Sequence, residues 1–334
     1  MSNNEPDPNA THWPEATSEV PLEPVTRVIY ASRCDVQGPV LEEMRRIRDH
    51  ALINNGPHEI RVALLYMCGW FVEWVEGAGE GIDALLQRVS TDPRHHGMKV
   101  IHRSLGRPRL FRPWIGSIVQ SQESPLLFVR RVFAEEERYA KGESAEPASV
   151  WWHLCSPPAP DMPRPQGHNP RAMLVSAQGT QVFDLVEWLA HVKQRQLVRR
   201  RFAGGVEDAP DVESDYLDLP DIGKRGWRLI VKARKGLAMG MTHAFLPEYG
   251  VVVVLLDGSA SRNRRILDRV LAACQQVHHS PVIVALGSAQ CVSPELQELV
   301  ERQGLPWVSA ACASESPRLN ELWQMLERAL LKLD

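Results

Sequence analysis

The sequence has no long hydrophobic segment. Its longest aliphatic run, residues 251–256, contains six residues, whereas a membrane-spanning helix needs about 20. The first 24 residues contain no Lys or Arg and no apolar core of the kind found in secretory signal peptides. We therefore expect a cytoplasmic protein without a membrane segment.

The sequence also has no excess of one charge and no clustered cysteines. It contains 38 Lys and Arg against 41 Asp and Glu, a net charge of −3, which gives no support for nucleic-acid binding. The six cysteines lie far apart without a Cys-x-x-Cys pair, which indicates reduced thiols rather than zinc ligands. The pairs His95-His96 and His278-His279 belong to no metal-ligand pattern, so we expect no metal site.

The distribution of prolines suggests how the chain is divided. A length of 334 residues predicts two domains. Residues 156–170 hold six of the 25 prolines, which excludes a regular helix or a central strand there. The predicted segments are a disordered acidic stretch 1–24, a first domain 25–120, an amphipathic helix and proline-rich linker 121–170, and a second domain 171–334.

The first domain is predicted to have the element order β-α-β-β-α-β. Segments rich in β-branched and aromatic residues predict four strands, at 25–31, 60–66, 70–75 and 99–103. Apolar residues at three-to-four spacing predict helices at 39–53 and 81–90. This order is typical of an α+β, ferredoxin-like fold, in which two helices cover one face of an antiparallel sheet.

The second domain is predicted to alternate apolar strands with amphipathic helices. The strands are expected at 172–177, 227–232, 251–256, 281–286 and 306–310, and the helices at 182–196, 263–277, 294–302 and 317–333. Such alternation predicts an α/β, three-layer domain with a parallel sheet covered on both faces. The basic run Arg199, Arg200 and Arg201 is expected to cap and solvate the end of the first of these helices.

Four motifs of the first domain follow one another in a recognisable order. They are RVIYASR at 27–33, FVEWVEG at 71–77, DPRH at 92–95 and RLFRPW at 109–114. As a series they resemble the BLUF family over roughly residues 25–120, about a third of the chain. BLUF domains are ferredoxin-like modules that hold FAD between two helices and sense blue light. The resemblance implies that fold, that cofactor and that function.

By position, the resemblance implies flavin-binding roles for individual residues. Tyr30 is similar to the tyrosine that passes an electron to the excited flavin, and Asn55 to the asparagine that hydrogen-bonds the ring edge. Arg94 and His95 are similar to the pair near the adenosine-phosphate end. Trp114 is similar to the tryptophan of the last strand that relays the signal. A phenol beside a flavin can supply an electron and a proton, and a fixed amide can satisfy the polar edge of the ring.

Two positions depart from the family pattern. Glu73 stands where the family has its switch glutamine. A glutamine carries both a donor and an acceptor, whereas an ionised glutamate only accepts hydrogen bonds and is costly to bury. We expect Glu73 to retain a proton with a raised pKa or to turn toward a cation, and we expect impaired photochemistry. Arg61 and Val62 replace the family's Thr-Gly and are expected to bring bulk and charge beside the ring.

The second domain is similar to a degenerate Ras-like small GTPase domain. Its order of elements fits, but the loop SAQGTQ at 176–181 lacks the lysine that binds phosphates in P-loop enzymes. The segment ARKG at 233–236 has no magnesium-binding aspartate, and GSAQ at 287–290 replaces the guanine-reading motif. Ser309-Ala310 is the one trace of the last guanine-contacting motif. A generic doubly wound domain stays open as the alternative.

We therefore expect a non-enzymatic signalling protein. A BLUF-like FAD sensor domain would be coupled to a pseudo-GTPase interaction domain. The expected flavin-binding residues of the sensor domain are Tyr30, Asn55, Glu73, Arg94, His95 and Trp114. The alternative is a flavin-free scaffold for protein–protein contacts. The expected partners are proteins, and the resemblance to BLUF domains implies that a homodimer can form through the sheet face opposite the flavin. The amphipathic helix after residue 125 is expected to be able to pack on that same face. No nucleic-acid or membrane partner is expected.

Overall fold

The computed structural model describes most of the chain. The described residues are 23–119, 123–143, 145–163, 170–202, 212–233, 237 and 240–334. Nearly all of the expected disordered segment, residues 164–169 of the expected linker and residues 234–236 of the degenerate loop lie outside these ranges. Every helix in the described ranges is too short or too polar to cross a bilayer.

The first domain is a five-stranded mixed sheet with two helices. The expected β-α-β-β-α-β order is present, and an unpredicted fifth strand follows it. The elements are β1 (Val25–Cys34), α1 (Val40–Asn55), β2 (Arg61–Met67), β3 (Trp70–Gly77), α2 (Gly79–Ser90), β4 (His95–Gly106) and β5 (Trp114–Ile118). The strand order is β4-β1-β3-β2-β5, and only β5 pairs in parallel, with β2.

The hairpin between β2 and β3 is dictated by its turn residues. Cys68 and Gly69 have φ values of 53° and 79°, so both central positions lie in the left-handed region. A two-residue turn with this geometry matches the right-handed twist of the strands that it joins. It aligns Leu64 of β2 directly with Glu73 of β3.

The two faces of this sheet pack against different partners. On the helix face, Val28, Val62 and Val75 pack with Ile82 and Leu85 of α2. Further along the same face, Leu64 and Phe71 pack with Met44 of α1. The opposite face, here called the back face, carries the alternate residues of each strand, as the pleat requires. These are Ile29, Ala31, Ala63, Leu65, Val72 and Trp74, all buried.

Two helices connect the domains and cover the back face. The expected amphipathic helix is α3 (Pro125–Ala140), and its Phe128 lies 6.5 Å from Trp70, ring centroid to ring centroid. A second helix, α4 (Pro147–Cys155), was not predicted and is buried along nearly its whole length. Trp151 of α4 lies 6.1 Å from Trp74, while Trp152 lies 5.3 Å from Phe245 of the second domain. The face for which a homodimer contact was expected is therefore occupied from within the chain.

The second domain is a seven-stranded mixed sheet between helical layers. Its elements are β6 (Arg171–Ser176), α5 (Gln181–Val192), β7 (Val198–Phe202), β8 (Val212–Leu219), β9 (Trp227–Lys232), α6 (Gly240–Phe245), β10 (Val251–Leu255), α7 (Ala260–Gln276), β11 (Val282–Ser288), α8 (Pro294–Glu301), β12 (Trp307–Cys312) and α9 (Leu319–Lys332). The strand order is β12-β11-β10-β6-β9-β8-β7.

The expectation of an all-parallel sheet is wrong at one edge. Strands β7 and β8 form an antiparallel hairpin, and β8 pairs antiparallel with β9. The expectation that Arg199, Arg200 and Arg201 end a helix is also wrong, since they belong to β7. Arg199 pairs with buried Asp215 of β8, with Nε–O distances of 3.0 and 3.3 Å. Opposite charges facing each other across an antiparallel pair stabilise the hairpin.

Helices cover both faces of the second sheet. Residues of α5 and α9 pack on one face with Leu174, Val253 and Leu286. On the other face Val175, Val254 and Ala285 belong to a cluster that also includes residues of α4, α7 and the back face of the first sheet. One continuous apolar core therefore extends from the first sheet through α4 to the second sheet.

Candidate functional site

Tyr30 and Glu73 form a buried polar pair at the centre of the helix face. They are directly opposite each other in the antiparallel register of β1 and β3, so both side chains point to the same face. Tyr30 is completely buried and Glu73 is 5% exposed. The pair is surrounded by the apolar residues that α1 and α2 cover.

Burial dominates the electrostatics of the pair. It raises the pKa of Glu73 from 4.5 to about 7, although the neighbouring Tyr30 hydroxyl and the charge of Arg94 both lower it. Burial also raises the pKa of Tyr30, and Glu73 adds to that increase. The Tyr30 hydroxyl makes no hydrogen bond of normal geometry in this structure. Glu73 therefore changes its protonation near neutral pH beside a phenol that keeps its proton.

Asn55 is the last residue of α1 and lies at the edge of the same apolar cluster. It is 5% exposed, and its carbonyl oxygen accepts a hydrogen bond from the Ile60 backbone at 3.1 Å. Ile60 is a member of the cluster that contains Tyr30. Gly56 and Pro57 follow Asn55 in a single 3-10 turn, which ends the helix and starts the approach to β2.

Arg94 lies just before β4 and His95 is its first residue, and Asp92 is close to both side chains, with its Oδ2 3.9 Å from Nε2 of His95. The Arg94 Nε donates to both Asp92 carboxylate oxygens, at 2.9 and 3.1 Å, and its Nη1 donates to Glu43 of α1 at 3.1 Å. Nδ1 of His95 lies 3.0 Å from the Ser32 hydroxyl. Burial lowers the pKa of His95. Arg94 thus connects β4 to α1, while the imidazole is packed on the sheet.

Trp114 and Val62 face the site, but Arg61 does not. Trp114 is the first residue of β5, lies opposite Val62 and packs against both apolar clusters of the helix face. Arg61 lies opposite Glu76, whose side chain is on the back face with Trp74 and accepts its indole N–H at 2.9 Å. The expectation that Arg61 brings charge beside the ring is therefore wrong, because strand alternation turns it away.

Three residues of the site were not predicted as functional. Ser32 positions His95, Asp92 holds Arg94, and Phe71 contacts the His95 ring with a centroid distance of 5.4 Å. The spacing Asp92-Pro93-Arg94 was a usable signal, since an Asp two residues before an Arg in a turn can reach its guanidinium. The Ser32–His95 contact joins residues 63 positions apart, and it has no local signature.

The residues present fit the polar edge of a flavin. The buried Tyr30 hydroxyl without a normal hydrogen bond is a donor that a ring acceptor would satisfy. Asn55 has an amide that can both donate and accept, and Glu73 can do the same when protonated. Helix α1 buries only Met44 and Asn55 of its 16 residues, so its contact with the sheet is sparse. Tyr30, Asn55 and Glu73 are the residues that would hold the ring.

Two loops of the second domain occupy the positions of the phosphate-binding and guanine-reading motifs of a GTPase. Each contains a short-range contact between its own residues. After β6 the Ser176 hydroxyl donates to the Gly179 carbonyl at 3.3 Å. After β11 the Ser288 hydroxyl lies 2.9 Å from Cys291 Sγ. In the described part of the chain no group of three or more His, Cys, Asp or Glu side chains is placed to bind a metal ion.

Comparison with known proteins identifies the first domain. Residues 25–116 match the family model described as sensors of blue light using FAD, or BLUF. A bacterial light-regulated adenylyl cyclase is 23% identical over 39% of this chain, with a TM-score of 0.28, and this chain spans only 39% of that protein. BlrB, a BLUF protein in its dark state, is 23% identical over 28% of this chain and 74% of its own, with a TM-score of 0.24.

Two solved structures of one protein overlap with most of the chain. BlrP1 of Klebsiella pneumoniae, in complex with calcium and cyclic di-GMP, covers 91% of this chain and 78% of its own at 14% identity and a TM-score of 0.28. No curated protein matches this sequence. Overlaps with such TM-scores carry no information on the second domain, so the assignment depends on the family match. Residues 25–116 of this chain form a BLUF domain, a member of the family described as sensors of blue light using FAD.

Proposed function

We propose that this chain is a flavin-dependent blue-light sensor whose switch is impaired by Glu73 and depends on its protonation. The observation that carries the proposal is the buried Tyr30–Glu73 pair, directly in register on β1 and β3. FAD, when bound, supplies the absorption of blue light and accepts an electron. The remaining chemistry belongs to the protein's own residues.

Protonation decides what Glu73 can do next to Tyr30. A protonated carboxyl has one donor and one acceptor and can replace the amide of a glutamine in a rearranging hydrogen-bond network. An ionised carboxylate accepts only. Because the pKa of Glu73 is about 7, the donor is present in mildly acidic solution and is lost in mildly alkaline solution. The light-induced change in the flavin spectrum should therefore be smallest in mildly alkaline solution.

A change at the pair has a direct path to the second domain. Trp74 follows Glu73 in β3 and points to the back face, where its ring lies 6.1 Å from Trp151 and 6.3 Å from Phe245. A shift of β3 by a fraction of an ångström would displace Trp74 against Trp151 and Phe245, because protein interiors contain few voids that could absorb the movement. This supports a signal that passes through α4.

We further propose that the second domain transmits the signal through protein contacts and catalyses no reaction. The loop after β6 has no lysine to bind phosphates, and Ser176 and Gly179 bond to each other across it. The pseudo-GTPase interpretation is part of this proposal. Its partner would be a protein that recognises the helices of this domain.

Absorption spectroscopy of the full-length protein tests the sensor proposal. Spectra are recorded in the dark and after blue illumination at pH 6 and pH 8.5, for the wild type, Glu73→Gln and the exposed control Glu80→Gln. We expect a flavin band in all three proteins. The reversible red shift should be small in the wild type at pH 8.5, larger at pH 6, and independent of pH in Glu73→Gln.

Two results would contradict the proposal. A full red shift of the wild type at pH 8.5 would remove the role given to Glu73. The absence of a flavin band after reconstitution with excess FAD would favour the flavin-free scaffold. Val62, which packs with Tyr30 and Ile82 where the family has glycine, is the feature that favours that second candidate.

A further inference from the structure

A cleft opens between the two domains, away from the Tyr30–Glu73 pair. It has a volume of about 370 Å³, within the size range of small-molecule sites. The first domain contributes the end of β4 and the loop after it, and the second domain contributes the end of α7. Its charged and imidazole side chains are Arg27, Arg107, Arg109, Glu146, His278 and His279.

The positive charge of this lining exceeds the negative charge. Three arginines face one carboxylate, Glu146. Arg27 and Arg109 share that carboxylate, at 3.1 and 3.3 Å, and Arg109 also reaches Glu248 at 3.5 Å. Arg107 is exposed, and within the described ranges no carboxylate lies at ion-pair distance from it. An anion in the cleft would therefore gain the attraction of an uncompensated guanidinium.

The end of α7 adds two imidazoles to this lining. A helix C-terminus carries a partial negative charge of about half a unit, which opposes anion binding. His278 lies just beyond it and can donate a hydrogen bond into the cleft. Nε2 of His279 donates its proton to the Tyr249 carbonyl at 2.8 Å, so Nδ1 of the neutral ring is an acceptor and adds no donor for an anion. The uncompensated guanidinium of Arg107 opposes the partial negative charge of the helix end.

Apolar side chains complete the walls. The same cleft is lined by Leu105, Pro108, Phe111, Pro247 and Val277. Phe111 is itself fixed between the domains, with its ring 5.7 Å from that of His243. A ligand with a charged end and a flat apolar end suits this combination, because binding sites pair a few oriented polar groups with apolar walls.

We propose that this cleft binds a small organic phosphate of mononucleotide size, which contacts both domains at once. Arg107 is the residue that binds the phosphate, and Phe111 with its apolar neighbours contacts the ring. The cleft also has a structural connection to the sensor. Glu76 of β3 accepts hydrogen bonds from the backbone N–H groups of Arg109 and Leu110, at 2.7 and 2.9 Å.

Calorimetric titration of the full-length protein, saturated with FAD so that the flavin site is occupied, tests the proposal. The probes are AMP, adenosine and inorganic pyrophosphate, at low ionic strength. We expect saturable binding of AMP. Adenosine should bind with an affinity at least about tenfold lower than that of AMP, because it lacks the charged phosphate. Arg107→Ala should weaken AMP binding about tenfold or more. The exposed control Arg130→Ala, on α3, should leave it unchanged.

Three results would overturn the proposal. They are no saturable AMP binding in the millimolar range, equal affinities for AMP and adenosine, and equal AMP affinities for Arg107→Ala and the wild type. Pyrophosphate binding without AMP binding would refute the stated ligand size. Arg107 is exposed, so its replacement is expected to leave the fold intact. The outcome does not depend on whether the flavin responds to light.

Discussion

Replacing Glu73 by glutamine should stabilise the protein, and the gain should depend on pH. Burial raises the pKa of Glu73 from 4.5 to about 7. Each unit of difference between folded and unfolded states corresponds to about 1.4 kcal/mol, so the ionised carboxylate costs the folded state about 3 kcal/mol. A neutral amide of the same shape does not carry this cost.

The direction of the pH dependence follows from proton linkage. Below about pH 4.5 both the folded and the unfolded states hold the proton, and the cost is absent. Between pH 4.5 and about 7 the folded state holds the proton more tightly, so the stability of the wild type falls as the pH rises. Above pH 7 Glu73 is ionised in both states, and the folded wild type carries the full free-energy cost of burying the carboxylate. Glu73→Gln should therefore be about 3 kcal/mol more stable than the wild type at pH 8 and within about 1 kcal/mol of it at pH 5.

Urea unfolding followed by tryptophan fluorescence measures this difference. Both proteins are unfolded at a series of pH values from 5 to 8.5, and the wild-type curve is subtracted from that of the variant. Because the other titrating groups are common to both proteins, their contributions cancel. The exposed control Glu80→Gln should change the stability by less than about 0.5 kcal/mol throughout. A constant difference between Glu73→Gln and the wild type from pH 5 to 8.5 would refute the argument.

Two further predictions concern the contact between the domains. Trp151→Ala removes a side chain that packs on Trp74, and it should lower the free energy of unfolding by about 3–5 kcal/mol in urea melts. The half-exposed Phe133→Ala should cost less than about 1 kcal/mol, and equal losses would contradict the prediction. Glu146→Ala leaves the buried Arg27 without its carboxylate and should cost about 2 kcal/mol, discounted because Glu146 is half exposed. An unchanged urea midpoint would show that this ion pair contributes nothing to stability.

Local patterns in the sequence predict most of the regular elements. The strand expected at 227–232 is found as Trp227–Lys232, and the hydrophobic strand at 251–256 ends one residue earlier, at Leu255. Both are β-branched or aromatic segments buried on each face, a property that is independent of distant contacts. The direct pairing of Tyr30 with Glu73 was not predicted from the sequence, because it depends on the register between β1 and β3.

The elements that were missed depend on contacts between distant residues. Helix α4 has the sequence PASVWWHLC, which has no polar face because the helix is enclosed on nearly all sides. The sequence pattern of this helix could not be distinguished from that of the proline-rich segment that follows it. Strands β7 and β8 are rich in charge, and their stability depends on pairs such as Arg199 with Asp215, 16 residues apart. A local window contains only one member of such a pair.

The site was predicted in its residue types but not in all of its orientations. Position 61 was interpreted as a departure from the family pattern, but the side of the sheet that Arg61 faces depends on its register with Glu76. A shift of one residue in register would have put this charge on the face of the sheet that carries Tyr30. The ionisation of Glu73 likewise depends on the depth at which the folded sheet buries it.

The enclosure of α4 between two sheets limits how this sensor can be reused. A segment cut after residue 116 would leave Leu65, Val72 and Trp74 on an uncovered sheet face. Contiguous apolar surface of this kind causes aggregation. A chimaera that grafts the sensor onto another effector would therefore have to carry α3 and α4 along with the BLUF domain. It would also need a new surface shaped to receive Trp152. The portable unit of this protein extends beyond the boundary of its sensory domain.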